Sequence, residues 1–501
     1  MPSATPSAAW AADRPDPTPQ PLPGTLGGVT FRPATLGDLR GSGYPDRTVK
    51  QELRQNLLAR LRRGERLFPS IVGFDETVLP ALERGVLAGH DLILLGERGQ
   101  AKTRLIRHLV DLLDEEVPVV QGCEVHDHPY RPICARCRAV VAEHGDETPV
   151  AWIDRDDRYS EKLATPDISV ADLIGDVDPI RVAEGRYLAD ELTIHYGLVP
   201  RTNRGLVAIN ELPDLPERIQ VGLFNILEER DVQIRGYRIR LPLDLLLVAT
   251  ANPEDYTHRG RIVTPLKDRF GTQVRTHYPE SLGEEIAIME QEARPPAGDV
   301  PVRVPLFLEE VLAALTAELR RSPQVNNRSG VSVRFSIGNL ESLAAAAVRR
   351  AAVAGEPEAV PRVCDLPAVL EGSAGRIEFD TIEEGREPEI LSRALASAVL
   401  LVFRRRLAGF DFVPLLSRFE EGFIAQTGDL MTAGDFLEQF GELRGLGKLL
   451  SRLGVEEESP GSAAAAVEFA LEGLHLSRRL NKHEGERPGE YRYGEAGGVL
   501  P

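Results

Sequence analysis

The chain contains few cysteines and no long apolar run. Only 4 of its 501 residues are cysteine, too few for a scaffold held together by disulfides at this length. No stretch approaches the ~18 consecutive apolar residues of a membrane-spanning helix. The first residues, Met-Pro-Ser-Ala-Thr-Pro-Ser, lack the basic and apolar segments of a signal peptide. These absences predict a cytoplasmic protein without a membrane span.

The sequence also has fewer basic residues than acidic ones. The sequence has 59 Lys and Arg against 77 Asp and Glu, a formal net charge of −18. A surface of this sign argues against non-specific binding to nucleic acid. It does not exclude phosphate binding, because backbone N–H groups and one or two cations are enough to hold an anion in a pocket.

Composition and periodicity divide the chain into five segments. Residues 1–45 are dense in Pro, Ala, Thr and Gly and predict a disordered arm. Residues 46–280 alternate short apolar runs with helical stretches, which predicts an α/β core with a parallel sheet. Residues 281–385 and 386–480 lack strand signals and predict two helical regions. Residues 481–501 are rich in Gly, Glu and Arg and predict a flexible tail.

Apolar patterns locate the main elements inside these segments. The predicted buried strands are 91–95, 117–120, 206–209 and 244–249. The predicted helices are 49–67, 307–319, 337–354, 390–406 and 463–480.

A glycine-bearing turn between an apolar run and a helical stretch is the strongest functional signal. A strand, a tight turn and a helix in this order form the phosphate-binding P-loop, because backbone N–H groups and the helix N-terminus converge on the phosphates. The candidate residues are Gly96, Gly99, Gln100, Ala101, Lys102 and Thr103. Lys102 would reach the β and γ oxygens, and Thr103 would give its hydroxyl to Mg²⁺. Ala101 replaces the usual second glycine, which restricts the backbone.

A second apolar run, 205–209, ends in Asn210 and Glu211. An NTPase sheet places at this point one acid that holds Mg²⁺ through water and a glutamate that polarises the attacking water. Glu211 is the candidate for the second role. Asn210 stands in the place of the first acid, and its amide adds no negative charge, so Mg²⁺ affinity or rate should suffer.

Two further polar residues follow the next predicted strand. Asn252 comes directly after an apolar run and is a candidate to orient the lytic water. Arg269 follows in a short helix and is a candidate arginine finger for the ATP of a neighbouring subunit.

Together these motifs resemble the AAA+ ATPase module, in the branch that contains MoxR-type ATPases and the ATPase subunit of magnesium chelatase. The resemblance begins at Ile71-Val72-Gly73 and runs to about residue 354. It implies that Val72 and Gly73 pack beside adenine and that 281–385 form a helical lid. It also implies that Arg334 acts as the sensor-2 residue in cis, and that the active form is a hexameric ring. Ala101, Asn210 and an insert at 121–165 depart from the family pattern.

The insert carries three of the four cysteines close to two histidines. The residues are Cys123, His126, His128, Cys134 and Cys137. Cys-x-x-His and Cys-x-x-Cys pairs suit the two halves of a tetrahedral Zn²⁺ site. The predicted quartet is the three cysteines with one of the two histidines, in a structural role; the alternative is a group of reduced cysteines that binds no metal.

The sequence leaves four functions open. The leading one is a motor that hydrolyses ATP to remodel a partner protein or to assist metal insertion. In the resembling families the partner often has an Asp-x-Ser-x-Ser adhesion site, which would here lie on a separate chain because this sequence lacks the motif. The alternatives are a genuine magnesium chelatase subunit, an ATP-gated scaffold with little turnover, and a transcription activator. The last is disfavoured, since its Gly-Ala-Phe-Thr-Gly-Ala loop and a basic recognition helix are both missing.

Overall fold

A computed structural model describes most of the chain. The described residues are 32–177, 193–228, 231–234, 237–253, 262–296, 298, 300–326, 330–373, 375–379, 385–441, 445–455, 459–487 and 489–496. Residues 1–31 of the predicted arm and 497–501 of the predicted tail lie outside them. None of the described helices combines the length and the apolar character that crossing a bilayer requires.

The strands of the described residues fall mainly in the first half of the chain. They are β1 Leu92–Leu95, β2 Glu116–Val120, β3 Val150–Asp154, β4 Tyr159–Leu163, β5 Gly175–Val177, β6 Ile194–Tyr196, β7 Gly205–Asn210, β8 Asp231–Ile234, β9 Tyr237–Arg240, β10 Leu245–Ala251, β11 Thr272–Arg275, β12 Ala425–Gly428, β13 Leu480–Glu484 and β14 Glu490–Glu495.

Helices surround the strands in the first half and dominate the second. They are α1 Leu36–Gly41, α2 Val49–Arg62, α3 Val78–Ala88, α4 Lys102–Val110, α5 Ala135–His144, α6 Val170–Leu173, α7 Leu198–Arg201, α8 Glu217–Glu228, α9 Thr264–Arg269, α10 Leu282–Glu292, α11 Leu306–Arg321, α12 Val333–Ala354, α13 Pro367–Ser373, α14 Glu387–Arg406, α15 Val413–Glu420, α16 Ala433–Glu438, α17 Leu446–Leu453 and α18 Pro460–Leu476.

A five-stranded sheet with the order β11-β1-β10-β7-β4 forms the centre of the first half, within the part of the chain that is described. Every neighbouring pair in it is parallel, which confirms the predicted α/β class. Side chains alternate between its faces. Leu92 and Leu94 face the core formed by α2, α3 and α4, while Ile93 and Leu95 face the core that contains α8 and the insert.

The predicted strand 117–120 forms, as β2, but it is not part of the central sheet. It pairs antiparallel with β3 in a separate two-stranded sheet. The outer strand of the central sheet is instead β4, which lies inside the predicted insert 121–165 and pairs with β7. Apolar periodicity misses β4 because an outermost strand is only partly covered, and its sequence is correspondingly polar.

Residues 36–41 correct the prediction of a disordered arm at 1–45. They form α1, and the Thr35 hydroxyl caps it by accepting a hydrogen bond from the backbone of Asp38 at 3.2 Å. Leu36 and Leu39 are both buried. Two apolar side chains are enough to pack α1, which has only about one and a half turns, against the core. A pattern this short does not show a recognisable helical period in the sequence.

The helices from α10 to α18 share one apolar core. The predicted lid and the predicted C-terminal helical region therefore pack as a continuous body rather than as two separate cores. The four predicted helices in this half occur with small shifts at their ends: α11, α12, α14 and α18.

Strands also occur in this half, contrary to the prediction. β12, β14 and β13 form an antiparallel sheet with β14 in the middle, so the prediction of a flexible tail at 481–501 is wrong for the residues of β13 and β14. Tyr493 on β14 is completely buried. Most residues around Tyr493 in β14 are charged. A strand that buries only one or two side chains is therefore not recognisable from the sequence.

Candidate functional site

The turn between β1 and α4 has the backbone that a P-loop requires. Gly99 has a φ of +79°, and a Cβ at this position would lie 2.0 Å from the Oγ of Ser332. A Cβ at Gly96 would lie 1.9 Å from the Oγ1 of Thr276. A side chain at either position would therefore force neighbouring side chains to move. Ala101 has a φ of 52°, so the usual glycine position keeps its left-handed conformation even though alanine occupies it.

Lys102 lies at the first position of α4 and is nearly buried. Its ammonium group donates hydrogen bonds to the backbone carbonyls of Gly96 and Glu97, the second at 2.8 Å. These contacts hold the charge against the inside of the turn, close to the backbone groups that a P-loop directs at phosphate. Thr103 follows on the same helix.

The carboxyl ends of β7 and β10 lie next to each other, as neighbouring parallel strands dictate. Glu211 follows β7 with a φ of 55°, and its backbone N–H donates to the Oγ1 of Thr250 at 3.0 Å. The same hydroxyl donates to the side-chain Oδ1 of Asn210 at 3.4 Å. Thr250 therefore ties the two predicted residues to β10.

A carboxylate on the neighbouring strand accompanies Asn210. The Asn210 amide donates to the Oε1 of Glu161 on β4 at 2.6 Å. The Oε2 of Glu161 accepts from Tyr159 at 2.9 Å and from Arg107 at 3.1 Å. Burial alone would raise the pKa of Glu161, but the hydrogen bonds from Tyr159, Arg107 and Asn210 together lower it. The group is therefore a carboxylate at neutral pH.

A cavity of about 680 Å³ lies between the P-loop and the helices that follow the core, a size typical of small-molecule sites. Most of the predicted site residues line it: Val72, Gly99, Gln100, Ala101, Lys102, Thr103, Asn210, Glu211 and Arg334. Residues separated by more than 200 positions thus meet around one space.

Four predicted site residues are not among those that line this cavity. Gly96 lies beneath the turn. Gly73 has a φ of +81° and packs against Glu284. Asn252 is buried just after β10, and its Oδ1 has no hydrogen-bond partner among the described residues. Arg269, at the end of α9, is 42% exposed.

Arg269 is held on the surface by two contacts. Its guanidinium lies 2.5 Å from the Oε2 of Glu228 and 5.4 Å from the ring centre of Phe224. Because it does not reach the cavity of its own chain, any action on phosphate would have to be on another subunit.

The helices after the core contact the P-loop directly. Ser332 caps α12 one residue before it begins and lies against Gly99. Arg104, in the first turn of α4, forms a two-pronged ion pair with Glu292 at the end of α10, with both N···O distances 2.7 Å. The hydrogen bonds from Arg104 lower the pKa of Glu292 to about 2.

Sequence reasoning missed Glu161, Arg104 and Arg107. The two arginines belong to the helical run after the P-loop, and their i, i+3 spacing was the available signal that they share a face. Glu161 gave no such signal, because its strand is polar and its partner, Asn210, lies 49 residues further along the chain.

The cysteines of the insert converge, but the predicted histidines do not join them. The ligand atoms of Cys123, Asp127, Cys134 and Cys137 all lie within 4.8 Å of one another. Asp127 thus stands with the three cysteines in the place where the sequence predicted His126 or His128. His126 adopts a left-handed conformation with a φ of 51°, which turns the chain so that the next residue, Asp127, faces the sulfurs. The Nδ1 of His128 accepts from the backbone of Tyr130 at 3.1 Å.

Comparison with known proteins gives two consistent similarities in sequence. Over 283 residues the chain is 27% identical to magnesium-chelatase subunit ChlI of Nephroselmis olivacea, covering 54% of this chain and 74% of that protein. Over 239 residues it is 28% identical to subunit ChlI-1 of Arabidopsis thaliana, covering 45% of this chain and 51% of that one. The chain thus spans about half the length of the second relative. No protein-family model matches it.

Among solved structures, the chain resembles a complex between subunits BchI and BchD of magnesium chelatase. The TM-score is 0.31 at 20% sequence identity, and the match covers 65% of this chain and 98% of the solved chain.

Proposed function

We propose that the chain is an AAA+ ATPase of the branch that contains the magnesium-chelatase ATPase subunits, which it resembles in sequence, and that it hydrolyses ATP as an oligomeric ring to remodel a partner protein or assist metal insertion. One observation carries the proposal: Lys102, Glu211 and Arg334, from three distant segments, line the same cavity. ATP hydrolysis requires at least cations that bind the phosphates and a carboxylate that activates the attacking water.

Each residue has a separate task in the proposed reaction. Lys102 and the backbone N–H groups of the turn bind the phosphates. Glu211 orients the attacking water and accepts its proton. Arg334, exposed in the first turn of α12, stabilises negative charge on the γ-phosphate from the side of the lid. Val72 packs beside the adenine base, with Gly73 providing the turn next to it.

The donor set also fits Mg²⁺, which when bound neutralises charge on the β- and γ-phosphates. The Thr103 hydroxyl and the Asn210 amide oxygen are oxygen donors of the kind this ion prefers. Glu161 contributes the negative charge that Asn210 lacks. Asn252 is buried at the strand end, and its Oδ1, which has no hydrogen-bond partner among the described residues, could accept a hydrogen bond from the lytic water.

The proposed ring is a homo-hexamer with ATP between subunits. Its support is Arg269, which is exposed and does not line the cavity of its own chain. In a ring it would reach the γ-phosphate of the neighbour. The proposal places this ring in the cytoplasm, where ATP is available, with a protein client, or a partner carrying an adhesion site, on a separate polypeptide.

A second candidate is an ATP-gated scaffold with little turnover. It is favoured by one observation, the amide at position 210. The hydrogen bond from Asn210 to Glu161 weighs against it, because a carboxylate is still present beside the strand end. A genuine magnesium chelatase subunit would use the same cavity. That alternative therefore differs from the others in its partner protein and not in its nucleotide site.

The test compares two pocket variants with a surface control. Lys102→Ala should abolish ATP binding, and Glu211→Gln should retain ATP and stabilise the ring while hydrolysis falls to background. Lys448→Ala makes the same change at an exposed position of α17 and should leave both properties unchanged. Phosphate release, nucleotide retention and sedimentation are the measurements. Wild-type phosphate release no higher than that of Glu211→Gln, at every Mg²⁺ concentration, would exclude the motor in favour of the scaffold.

The same variants address the client. Proteins that remain bound to Glu211→Gln with ATP, but not to Lys102→Ala, are candidate partners. Stimulation of ATP turnover by a purified candidate would support remodelling. Stimulation only in the presence of a porphyrin and Mg²⁺ would support the chelatase alternative.

A further inference from the structure

Four buried side chains of the insert converge on a single point. We call Cys123, Asp127, Cys134 and Cys137 the insert cluster. All four are buried, and Asp127 and Cys137 have no exposed surface at all. The Sγ atoms of Cys123 and Cys134 are 4.0 Å apart. A tetrahedral ion with Zn–S bonds of 2.3 Å would hold two sulfurs about 3.8 Å apart.

Only one of the two carboxylate oxygens of Asp127 accepts hydrogen bonds from the described residues. Its Oδ2 accepts hydrogen bonds from the backbone N–H groups of Ile133 at 3.0 Å and Cys134 at 2.9 Å. Its Oδ1 is buried and has no hydrogen-bond partner among the described residues. Burial of a carboxylate oxygen without a hydrogen-bond partner costs free energy. A metal ion bound in the insert cluster would offset this cost.

Backbone groups also point at the sulfurs. The N–H of Asp127 donates to the Sγ of Cys123, and the N–H of Cys137 donates to the Sγ of Cys134, both at 3.3 Å. Hydrogen bonds of this kind favour the thiolate form, which is the form that ligates metals. The chain around the cluster is thus arranged for charged sulfur atoms.

We propose that the insert cluster binds one Zn²⁺ ion with three cysteine thiolates and the Oδ1 of Asp127 as ligands. The inference is independent of the proposed ATPase function. Cysteine sulfur and aspartate oxygen are both zinc ligands, and a closed set of four protein ligands is typical of a structural site, since a catalytic site keeps a position for water. The close spacing within 4.8 Å suits one ion rather than a multi-iron cluster.

The ion would fasten the insert to the strand that carries Asn210. The loop between Cys123 and Asp127 is attached to the core through Asn203, whose side-chain amide donates to the carbonyl of Val125 at 2.9 Å. Asn203 lies two residues before β7 begins. The cysteines of the cluster pack in the same apolar core as β7, so the site would support β7, the strand that ends in Asn210.

The first measurement is the metal content of the full-length protein purified without chelator. One equivalent of zinc per chain is expected by mass spectrometry of the metals. Protein without zinc that also fails to bind added Zn²⁺ would overturn the proposal, and so would stoichiometric iron.

Substitutions then identify the ligands. Cys137→Ser and Asp127→Ala should each weaken zinc binding on the order of 100-fold or more, since even residues that only support a ligand contribute 10–100-fold. Cys364→Ser is the matched control, because Cys364 is a buried cysteine outside the cluster, and it should keep one equivalent. His126→Ala and His128→Ala should also keep it. Loss of zinc in either histidine variant, with retention in Asp127→Ala, would overturn the ligand set.

A spectroscopic readout covers the case in which a variant fails to fold. Wild-type protein loaded with Co²⁺ should show the visible bands of a tetrahedral ion and a thiolate charge-transfer band. Asp127→Cys should keep one equivalent of metal. Its thiolate charge-transfer band should be more intense than that of the wild type, because a fourth sulfur then binds the ion. An octahedral spectrum, or no change in Asp127→Cys, would contradict the assignment.

Discussion

The Asn210 amide on β7 donates a 2.6 Å hydrogen bond to the Glu161 carboxylate on the adjacent strand β4. The register pairs Leu163 with Asn210 and Glu161 with Ala208, so the two polar side chains are diagonal neighbours on one face of the sheet. The negative charge that position 210 lacks is therefore present one strand away.

This relationship predicts that Glu161→Gln slows ATP hydrolysis. Removal of the carboxylate takes away the charge beside the Mg²⁺ side of the pocket, and a decrease in kcat of about 10–100-fold is expected, the range seen for residues that support a metal ligand. The requirement for Mg²⁺ should rise in parallel. Steady-state ATPase assays over a Mg²⁺ titration are the measurement.

The double variant Asn210→Asp/Glu161→Gln moves the charge back to the strand end and should recover most of the lost rate. Asn210→Asp alone places two carboxylates together and should not exceed the wild type. Glu371→Gln, an exposed change on α13, is the control. Full activity in Glu161→Gln would show that the carboxylate has no role in turnover.

Arg269 should act between subunits. Arg269→Ala is expected to keep ATP binding but to lose hydrolysis by roughly 10³-fold, as an arginine finger would. Co-expression of Arg269→Ala with Lys102→Ala should restore part of the activity, because some interfaces then combine an intact pocket with an intact arginine. Phosphate release by the mixed ring is the measurement.

The control for this experiment is a mixture of Lys102→Ala with Glu211→Gln. Both substitutions damage the pocket, so no interface in the mixture is complete and no activity should return. Equal recovery in both mixtures would contradict an action of Arg269 in trans.

Ala101 should be strained in the wild-type protein. Its φ of 52° lies in the left-handed region, which costs an L-residue about 1–2 kcal/mol. Ala101→Gly relieves this cost but adds freedom to the unfolded chain, so we expect the free energy of unfolding to rise by about 0.5–1 kcal/mol. Urea denaturation is the measurement.

The same substitution in an ordinary helix gives the opposite sign. Ala345→Gly changes an exposed residue in the middle of α12 and should lower the free energy of unfolding by about 1 kcal/mol. A decrease of similar size for Ala101→Gly would show that the P-loop backbone is not strained.

Glu309 should make stability depend on pH. Burial in α11, with Glu290 as a second cause, raises the pKa of Glu309 to about 7. Because the folded state holds this proton more tightly than the unfolded state, stability is highest below the ordinary pKa of glutamate and is lost as the pH rises through about 7. Glu309→Gln removes the loss and should be about 2–3 kcal/mol more stable than the wild type at pH 8.

At pH 4.5 the difference between Glu309→Gln and the wild type should nearly vanish. Glu318→Gln, an exposed change on the same helix, should have no effect on stability at either pH. Denaturation curves at the two pH values are the measurement, and parallel curves for Glu309→Gln and the wild type would refute the prediction.

The parts of the site that were predictable are those whose signal is local. The P-loop motif contains its strand, turn and helix start within a dozen residues, and the Asn210-Glu211 pair follows directly on an apolar strand. Glu161 and Asp127 were not predictable, because their roles depend on partners brought together by the fold. β4 and β14 were missed for a related reason: no side chain of β4 is fully buried and β14 buries only Tyr493 and Gly494, so neither strand has an apolar period.

The ion pair between Arg104 and Glu292, together with the contact of Ser332 with Gly99, joins the P-loop helix to the helices that follow the core. Two bodies connected in this way are thermodynamically linked. If nucleotide binding at the P-loop changes the affinity of those helices for a partner, that partner must change the affinity for nucleotide by the same factor. Partner affinity can therefore be measured in reverse, as a change in the dissociation constant of ATP.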